Sequence, residues 1–320
     1  MKKYLLCAAV CLALKGFSQG SQFGLADVPD SIKKNADVIK RLEEVYFEVT
    51  DIDRASLKIH SIYTVVNSNG KEVLDFEEGS NKFSSLGDVE IKVFDSEGRQ
   101  VQKYKKKDLA TASFGGGLVQ DGKAYYMRIP ASTYPVTVEY EYETTYKGTL
   151  FYPDYDIIEA DQGVLTSSFT AKVPKDLDLR YRELNVKLAP AVTEDGKYKV
   201  YKWSVKNLTP IKYEQGAVTA RNRYPKIELA PNHFKMDDYE GDMTSWKNFG
   251  VWYASLIKGI DVLSEDKKKF FQDLVKDAKD DREKVKIIYT YLQKNFRYVS
   301  IQLGIGGWKP LPADFTFDKK

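Results

Sequence analysis

Cysteine is almost absent from this chain. Its 320 residues include two, Cys7 and Cys11. Beyond Cys11 there is no thiol, which excludes a disulfide framework, a zinc–thiolate site and a thiolate nucleophile from the rest of the sequence. Histidine is equally scarce, with only His60 and His233. Neither has a companion histidine, so no metal site built on histidines is expected. Long apolar runs are missing as well. A membrane-crossing helix needs about 20 apolar residues. The run Tyr4 to Leu14 is far shorter, so no integral membrane span is expected. Excess charge of one sign is also lacking. Residues 1–18 hold three lysines and no acids, and setting them aside leaves 46 Lys+Arg against 46 Asp+Glu. A neutral chain has no long-range attraction for nucleic acid or an acidic membrane, and no nucleic-acid partner is expected.

What the N-terminus does have is a three-part layout. Met1, Lys2 and Lys3 give a charged start, Tyr4 to Leu14 an apolar run, and Gly16-Phe17-Ser18 small residues ahead of Gln19. This is the pattern of a secretory signal. It predicts cleavage near Ser18/Gln19 and a mature protein in the periplasm or outside the cell. The alternatives are a buried N-terminal helix, or a lipoprotein signal with the lipid on Cys11.

Beyond the leader, residues 19–43 are mixed in polarity, and Ile32 to Leu42 is compatible with a short helix. From 44 to 230 the pattern is strand after strand. Leu57, Ile59, Ser61, Tyr63 and Val65 alternate with Lys58, His60, Ile62 and Thr64. Val136, Val138, Tyr140 and Tyr142 alternate with Thr137, Glu139, Glu141 and Glu143. Turn signals stand at Asn69-Gly70 (ahead of a strand Glu72 to Phe76), at Asp95 to Gly98 and at Asp195-Gly196. A two-residue period means one buried and one wet face, as in antiparallel sheets. No helical crossovers intervene, so the expectation is a mainly β chain with a large antiparallel β-sandwich.

The pattern changes after a linker at 231–244. Ser245 can cap a helix carrying Trp246, Phe249, Trp252, Tyr253 and Leu256. Ser264 can cap a second, with Phe270, Phe271, Leu274 and Val275. Asp280 and Glu283 form a capping-box pattern for a third, with Val285, Ile288, Leu292 and Phe296 at helical spacing. Residues 245–320 therefore read as a separate helical segment.

Motif searches return little chemistry. Gly304, Gly306 and Gly307 lack the dinucleotide spacing, and Gly115 to Gly117 lack the Lys-Ser/Thr of a phosphate loop. The acids at Asp154 and Asp156, and at Asp237, Asp238, Glu240 and Asp242, do not follow a calcium loop. They read as solvated loop, with a loose calcium or magnesium site as the alternative. No cofactor is expected. Tyr125, Tyr126, Tyr134, Tyr140, Tyr142, Tyr146, Tyr152 and Tyr155 crowd one stretch, which suits strand packing or a surface for peptide or glycan.

The stretch Phe296-Arg297-Tyr298-Val299-Ser300-Ile301-Gln302-Leu303-Gly304-Ile305-Gly306-Gly307-Trp308-Lys309-Pro310, followed by Pro312-Ala313-Asp314, resembles bacterial transglutaminase-like proteins that carry a DUF3857 domain ahead of a papain/transglutaminase-like α+β core. The likeness is specific at 296–314 and diffuse in the β-rich part. It implies that 44–230 is the DUF3857 domain and that 245–320 begins the core. In that family a Gly-Asp-Cys follows soon after the loop, and a histidine and an aspartate come later, for thiolate chemistry on acyl groups or amides. Here Phe317-Asp318-Lys319-Lys320 stands where that approach ends, so no catalytic residue is assigned within the 320. Gln302 and Trp308 are the candidates for lining a substrate cleft or aiding an oxyanion, with core or loop packing as the alternative. Two functions remain open. One is the non-catalytic front of an exported transglutaminase-like cysteine peptidase or acyltransferase. The other is a binding or structural module for an envelope protein, peptide or glycan.

Overall fold

A computed structural model describes residues 23–114, 122–217, 223–298 and 304–319. The expected signal segment and Gln302 lie outside the described residues. The chain is 45% strand and 23% helix, with the longer helices at the C-terminal end, so the mainly β expectation holds.

A short helix α1 (Asp30–Lys33) comes first, then strands β1 (Val38–Asp51), β2 (Arg54–Val65), β3 (Asp75–Ser80), β4 (Ser84–Phe94), β5 (Gln100–Lys105), β6 (Ala110–Phe114), β7 (Gly122–Arg128) and β8 (Val136–Lys147). They are followed by β9 (Tyr155–Asp156), β10 (Gln162–Pro174), β11 (Leu179–Leu184), β12 (Ala191–Asp195), β13 (Tyr198–Leu208), β14 (Lys226–Pro231), β15 (His233–Met236) and β16 (Tyr239–Asp242). Four helices close the described chain: α2 (Trp246–Ile257), α3 (Glu265–Leu274), α4 (Asp281–Asn295) and α5 (Ala313–Asp318).

The centre is an eight-stranded sheet in the order β12-β13-β10-β1-β2-β8-β4-β5. Two three-stranded sheets, β11-β14-β9 and β3-β7-β6, pack on it and make two cores. Over one half, Phe47, Phe169, Ala171, Tyr201 and Trp203 of the large sheet meet Tyr155, Leu179, Ile227 and Leu229. Over the other, Ile91, Val138 and Tyr140 meet Leu74, Phe76 and Ile129. Both cores draw on the same alternating positions, because strand register matches Phe169 to Trp203, Phe47 to Leu57 and Ile59 to Tyr142. Period two in the sequence thus becomes one apolar face and one polar face.

Three local expectations need correction. The stretch Ile32 to Leu42 is not a helix. Asn35 takes a left-handed φ of 65° that ends α1, and Val38 and Ile39 then pair with Gln162 and Gly163. That β1–β10 pairing is parallel, so the large sheet is not purely antiparallel. Among the described residues no α-helix lies between β1 and β10; the chain returns through strands, the last of them β9 of a three-stranded sheet. The Asn69-Gly70 signal belongs to a 3-10 helix over Ser68–Leu74, so the next strand starts at Asp75, not Glu72. A Cβ on Gly70 would lie 2.5 Å from Val38 Cγ2 and 2.6 Å from Asp37 O, which explains a glycine there.

Within the stretch expected as linker, β15 and β16 form a hairpin. It is tied to the sheet by Thr149 N–H donating to Lys235 O (2.9 Å) and Lys235 N–H donating to Ile52 O (3.1 Å). Among the described residues no helix is long and apolar enough to cross a membrane.

Candidate functional site

The C-terminal loop, the open face of the large sheet and the apolar side of the last helices each bring chemistry-bearing residues together.

Helix α2 is capped as the sequence predicts, with Asn248 N–H donating to Ser245 Oγ at 3.1 Å. Its Phe249, Trp252 and Leu256 pack with Leu150, Phe234 and Met236. Trp308 joins this cluster. Its ring centroid lies 5.6 Å from Phe249, 5.8 Å from Trp252 and 6.2 Å from Phe151. The loop is held by Ile305 N–H donating to Asp237 Oδ2 (3.2 Å) and by Lys309 Nζ donating to the Tyr239 hydroxyl (2.6 Å). Trp308 therefore pins the 304–308 turn to α2 and the hairpin. Its outer edge helps line a cleft of about 460 Å³ with Phe83, Tyr146, Phe151 and Met236. Trp246 does not pack as expected: it is 89% exposed.

Helices α3 and α5 meet through charge. Ser264 does not cap α3 with its own hydroxyl. Its N–H and Oγ–H both donate to Asp314 Oδ1, at 2.8 and 2.9 Å. Lys267 Nζ lies 2.8 Å from Asp314 and 2.9 Å from Asp318. The hydrogen bond from Lys267, with those from Ser264, holds the Asp314 carboxyl down at about 2. In α4, Asp280 Oδ1 accepts from Glu283 N–H at 2.8 Å, while the Glu283 carboxylate accepts from Lys279 N–H, one residue short of the reciprocal box.

Phe270 and Phe271 of α3, Tyr291 of α4 and Phe317 of α5 pack on one another, but a stripe along α4 is apolar and exposed. Val285, Tyr289 and Leu292 recur along α4 and are 66%, 60% and 40% exposed. A groove of about 650 Å³ runs between the helices, lined by Leu263, Phe271, Ile288, Leu292, Phe296 and Phe317 among others. The helical spacing in the sequence pointed to this face as a core face. The described residues supply no second layer for it.

On the polar face of the large sheet, His60 is set among carboxylates. Its Nε2 lies 2.8 Å from Glu139 and 3.8 Å from Glu141, and its Nδ1 3.7 Å from Glu44. Lys92 Nζ is 3.1 Å from Glu139 and 3.4 Å from Glu141. Burial alone would raise the Glu139 carboxyl, but hydrogen bonds from His60 and Lys92 outweigh it and hold it below the usual range. A sequence search for paired histidines misses this cluster, because the partners are glutamates on other strands. The alternation of Glu139, Glu141 and Glu143 was the available signal, but nothing in it says which strand lies opposite.

The family whose model matches, over residues 53–212, is described as "Domain of Unknown Function with solved-structure structure (DUF3857)". The chain belongs to this family. The DUF3857 match runs from the β1–β2 turn to just past β13, and so takes in most of the large sheet. No curated protein matches the chain. Among solved structures, a "putative protease" from Parabacteroides distasonis ATCC 8503 is similar at 14% identity and a TM-score of 0.64, over 88% of this chain. At that identity the likeness is one of fold. The chain spans 55% of the length of that Parabacteroides protein. A "putative nutrient binding protein" from Legionella pneumophila subsp. pneumophila str. Philadelphia 1 matches over 81% of this chain and 94% of its own, at 11% identity and a TM-score of 0.29, too low to compare folds.

Proposed function

We propose that this DUF3857 protein is exported and forms the non-catalytic front of a transglutaminase-like cysteine peptidase or acyltransferase. In this reading the β-rich part braces the enzyme, α2 to α5 open its α+β core, and the nucleophile, base and acid lie outside these 320 residues. The observation that carries it is the exposed apolar stripe of α4, Val285, Tyr289 and Leu292. A helix buries an apolar stripe against something, and this stripe, beside the groove that Ile288, Leu292 and Phe296 help line, fits half of a core. The cysteine-free sequence after Cys11 agrees, since the thiolate would have to come from elsewhere. The charged start, apolar run and small residues of 1–18 support export.

The test compares the 320-residue chain with a longer product of the same gene on a peptide library. Turnover by the longer form alone, abolished by a cysteine-to-alanine change, is the expected result. Turnover by the 320-residue chain would overturn the reading. A second reading, a binding module without chemistry, draws on the sheet's cleft of about 1110 Å³, walled by Lys105, Lys106 and Lys107 opposite Glu44, Glu90 and Glu141. A longer product that stays inert while the 320-residue chain captures an envelope peptide or glycan would favour it.

A further inference from the structure

We propose that His60, Glu139 and Glu141 form a binding site for one divalent transition-metal ion of the zinc class on the open face of the large sheet.

The site is made by register. His60 on β2 stands directly opposite Glu141 on β8, and Glu139 lies two residues along β8, on the same face. One ligand atom from each of the three falls within 4.8 Å of the others. Zinc bonds to imidazole nitrogen and carboxylate oxygen are about 2.0–2.2 Å, which sets tetrahedral ligand atoms about 3.3 Å apart. The distances from His60 Nε2 to Glu139 and Glu141, 2.8 and 3.8 Å, bracket that spacing. An ion placed among them needs only side-chain adjustment, on a rigid two-strand platform.

The far nitrogen of the imidazole adds an independent feature. Metal-bound histidines usually donate the other ring N–H to a carboxylate, which fixes the tautomer and orients the ring. Here His60 Nδ1 faces Glu44 on β1 at 3.7 Å, beyond hydrogen-bond distance, and a side-chain rotation of Glu44 would close that gap. Glu44 pairs directly with His60 in the β1–β2 register. The imidazole thus presents Nε2 to two carboxylates on one neighbouring strand and Nδ1 to a third on the other. An imidazole in the ligand set selects zinc, copper, nickel or cobalt over calcium and magnesium, which take oxygen.

Charge in the patch also favours a cation. Glu90 lies directly across from Glu141 on β4, and like charges opposite each other destabilise a sheet. Glu90, Glu139 and Glu141 are ion-paired by Lys92 and Lys103, and Lys105 stands across from Glu90 on β5. Lys92 now sits on Glu139 and Glu141. An incoming ion displaces it, and Lys92 keeps Glu90, 3.1 Å away, as a partner. Lys103 holds Glu90 from the other side at 2.7 Å. Lys58 and Glu143 flank the patch as a separate pair 3.8 Å apart.

The test uses the untagged full chain, titrated with zinc by calorimetry and with cobalt by visible absorption, with circular dichroism as the check on folding. Native protein and the His233→Ala control are expected to bind one equivalent with equal affinity. His60→Ala and Glu139→Gln are each expected to weaken binding by at least about tenfold, the loss of one of three ligands. Lys92→Met is expected to strengthen it, since the competing ammonium is gone. Failure of the native chain to bind one equivalent, unchanged binding by His60→Ala, or loss of binding in His233→Ala would each overturn the proposal. So would unchanged or weaker binding by a folded Lys92→Met.

Discussion

Lys267 Nζ lies 2.8 Å from Asp314 Oδ2, and the lysine side chain is only 8% exposed. This contact joins α3 to α5 across 47 residues. Asp314 belongs to the Pro-Ala-Asp that follows the glycine-rich loop, and its role here is to accept from Ser264 and Lys267 at the start of α3.

The pair sets a pH dependence. The Asp314 carboxyl is depressed from 3.8 to about 2, so its folded value is below its unfolded one. Its stabilisation is present above about pH 4 and is lost as pH falls through about 2. Asp314→Asn is expected to speed amide hydrogen exchange in α3 at neutral pH while leaving the large sheet protected. The difference between native and variant should vanish as the pH is lowered to about 2. A difference that persists there would show that the contact does not act through charge.

Lys40 and Glu43 form a second ion pair, 2.8 Å apart, with side chains 3% and 13% exposed. Glu43 also accepts from Ser167 Oγ at 2.6 Å and from the Tyr63 hydroxyl at 3.2 Å. Removing one partner of a buried pair leaves an uncompensated charge and costs about 3–5 kcal/mol. Lys40→Met should show a loss of that order in urea unfolding. Lys40→Met with Glu43→Gln should recover part of it. Equal losses in the single and double variants would count against a charge-based cost.

Phe169 is fully buried between Tyr155 and Trp203. Phe169→Ala should lower stability by about 3–5 kcal/mol, through lost burial and the cavity left behind. Denaturant titration followed by tryptophan fluorescence reads this directly.

Gly70→Ala forces a methyl against Val38 and the Asp37 carbonyl. Overpacking of that kind costs about 1–3 kcal/mol, and the first effect should be on the 3-10 turn and the start of β1. A thermal melt matching that of the native chain would show that the backbone yields more easily than the contact suggests.

Val285→Glu with Leu292→Glu should leave the unfolding midpoint of the 320-residue chain nearly unchanged, within about 0.5 kcal/mol, because both side chains are exposed. In a longer gene product whose added chain covers α4, the same changes should destabilise strongly. Equal tolerance in both forms would remove the main support for a missing half-core.

Much of this architecture was legible along the chain. Alternation at 57–65 and 136–142 named strands and the faces they bury, because a strand's period is local geometry. Ser245 and Asp280 marked helix starts because a cap is a contact across three residues. The resemblance at 296–314 led to the DUF3857 domain, which the family match bears out. The neighbours of each face, by contrast, were set by pairings between distant segments. The parallel β1–β10 ladder joins residues 124 apart, as in Val38 with Gln162, and no pattern within either strand encodes the choice. The same holds for Ile32 to Leu42, where pairing overrode a weak helical tendency. His60 looked solitary for the same reason: its carboxylates come from β1 and β8, and only the order of strands in the sheet places them on its two nitrogens. Periodicity and capping are local and survive in sequence; register and the meeting of side chains across the sheet are properties of the assembled fold.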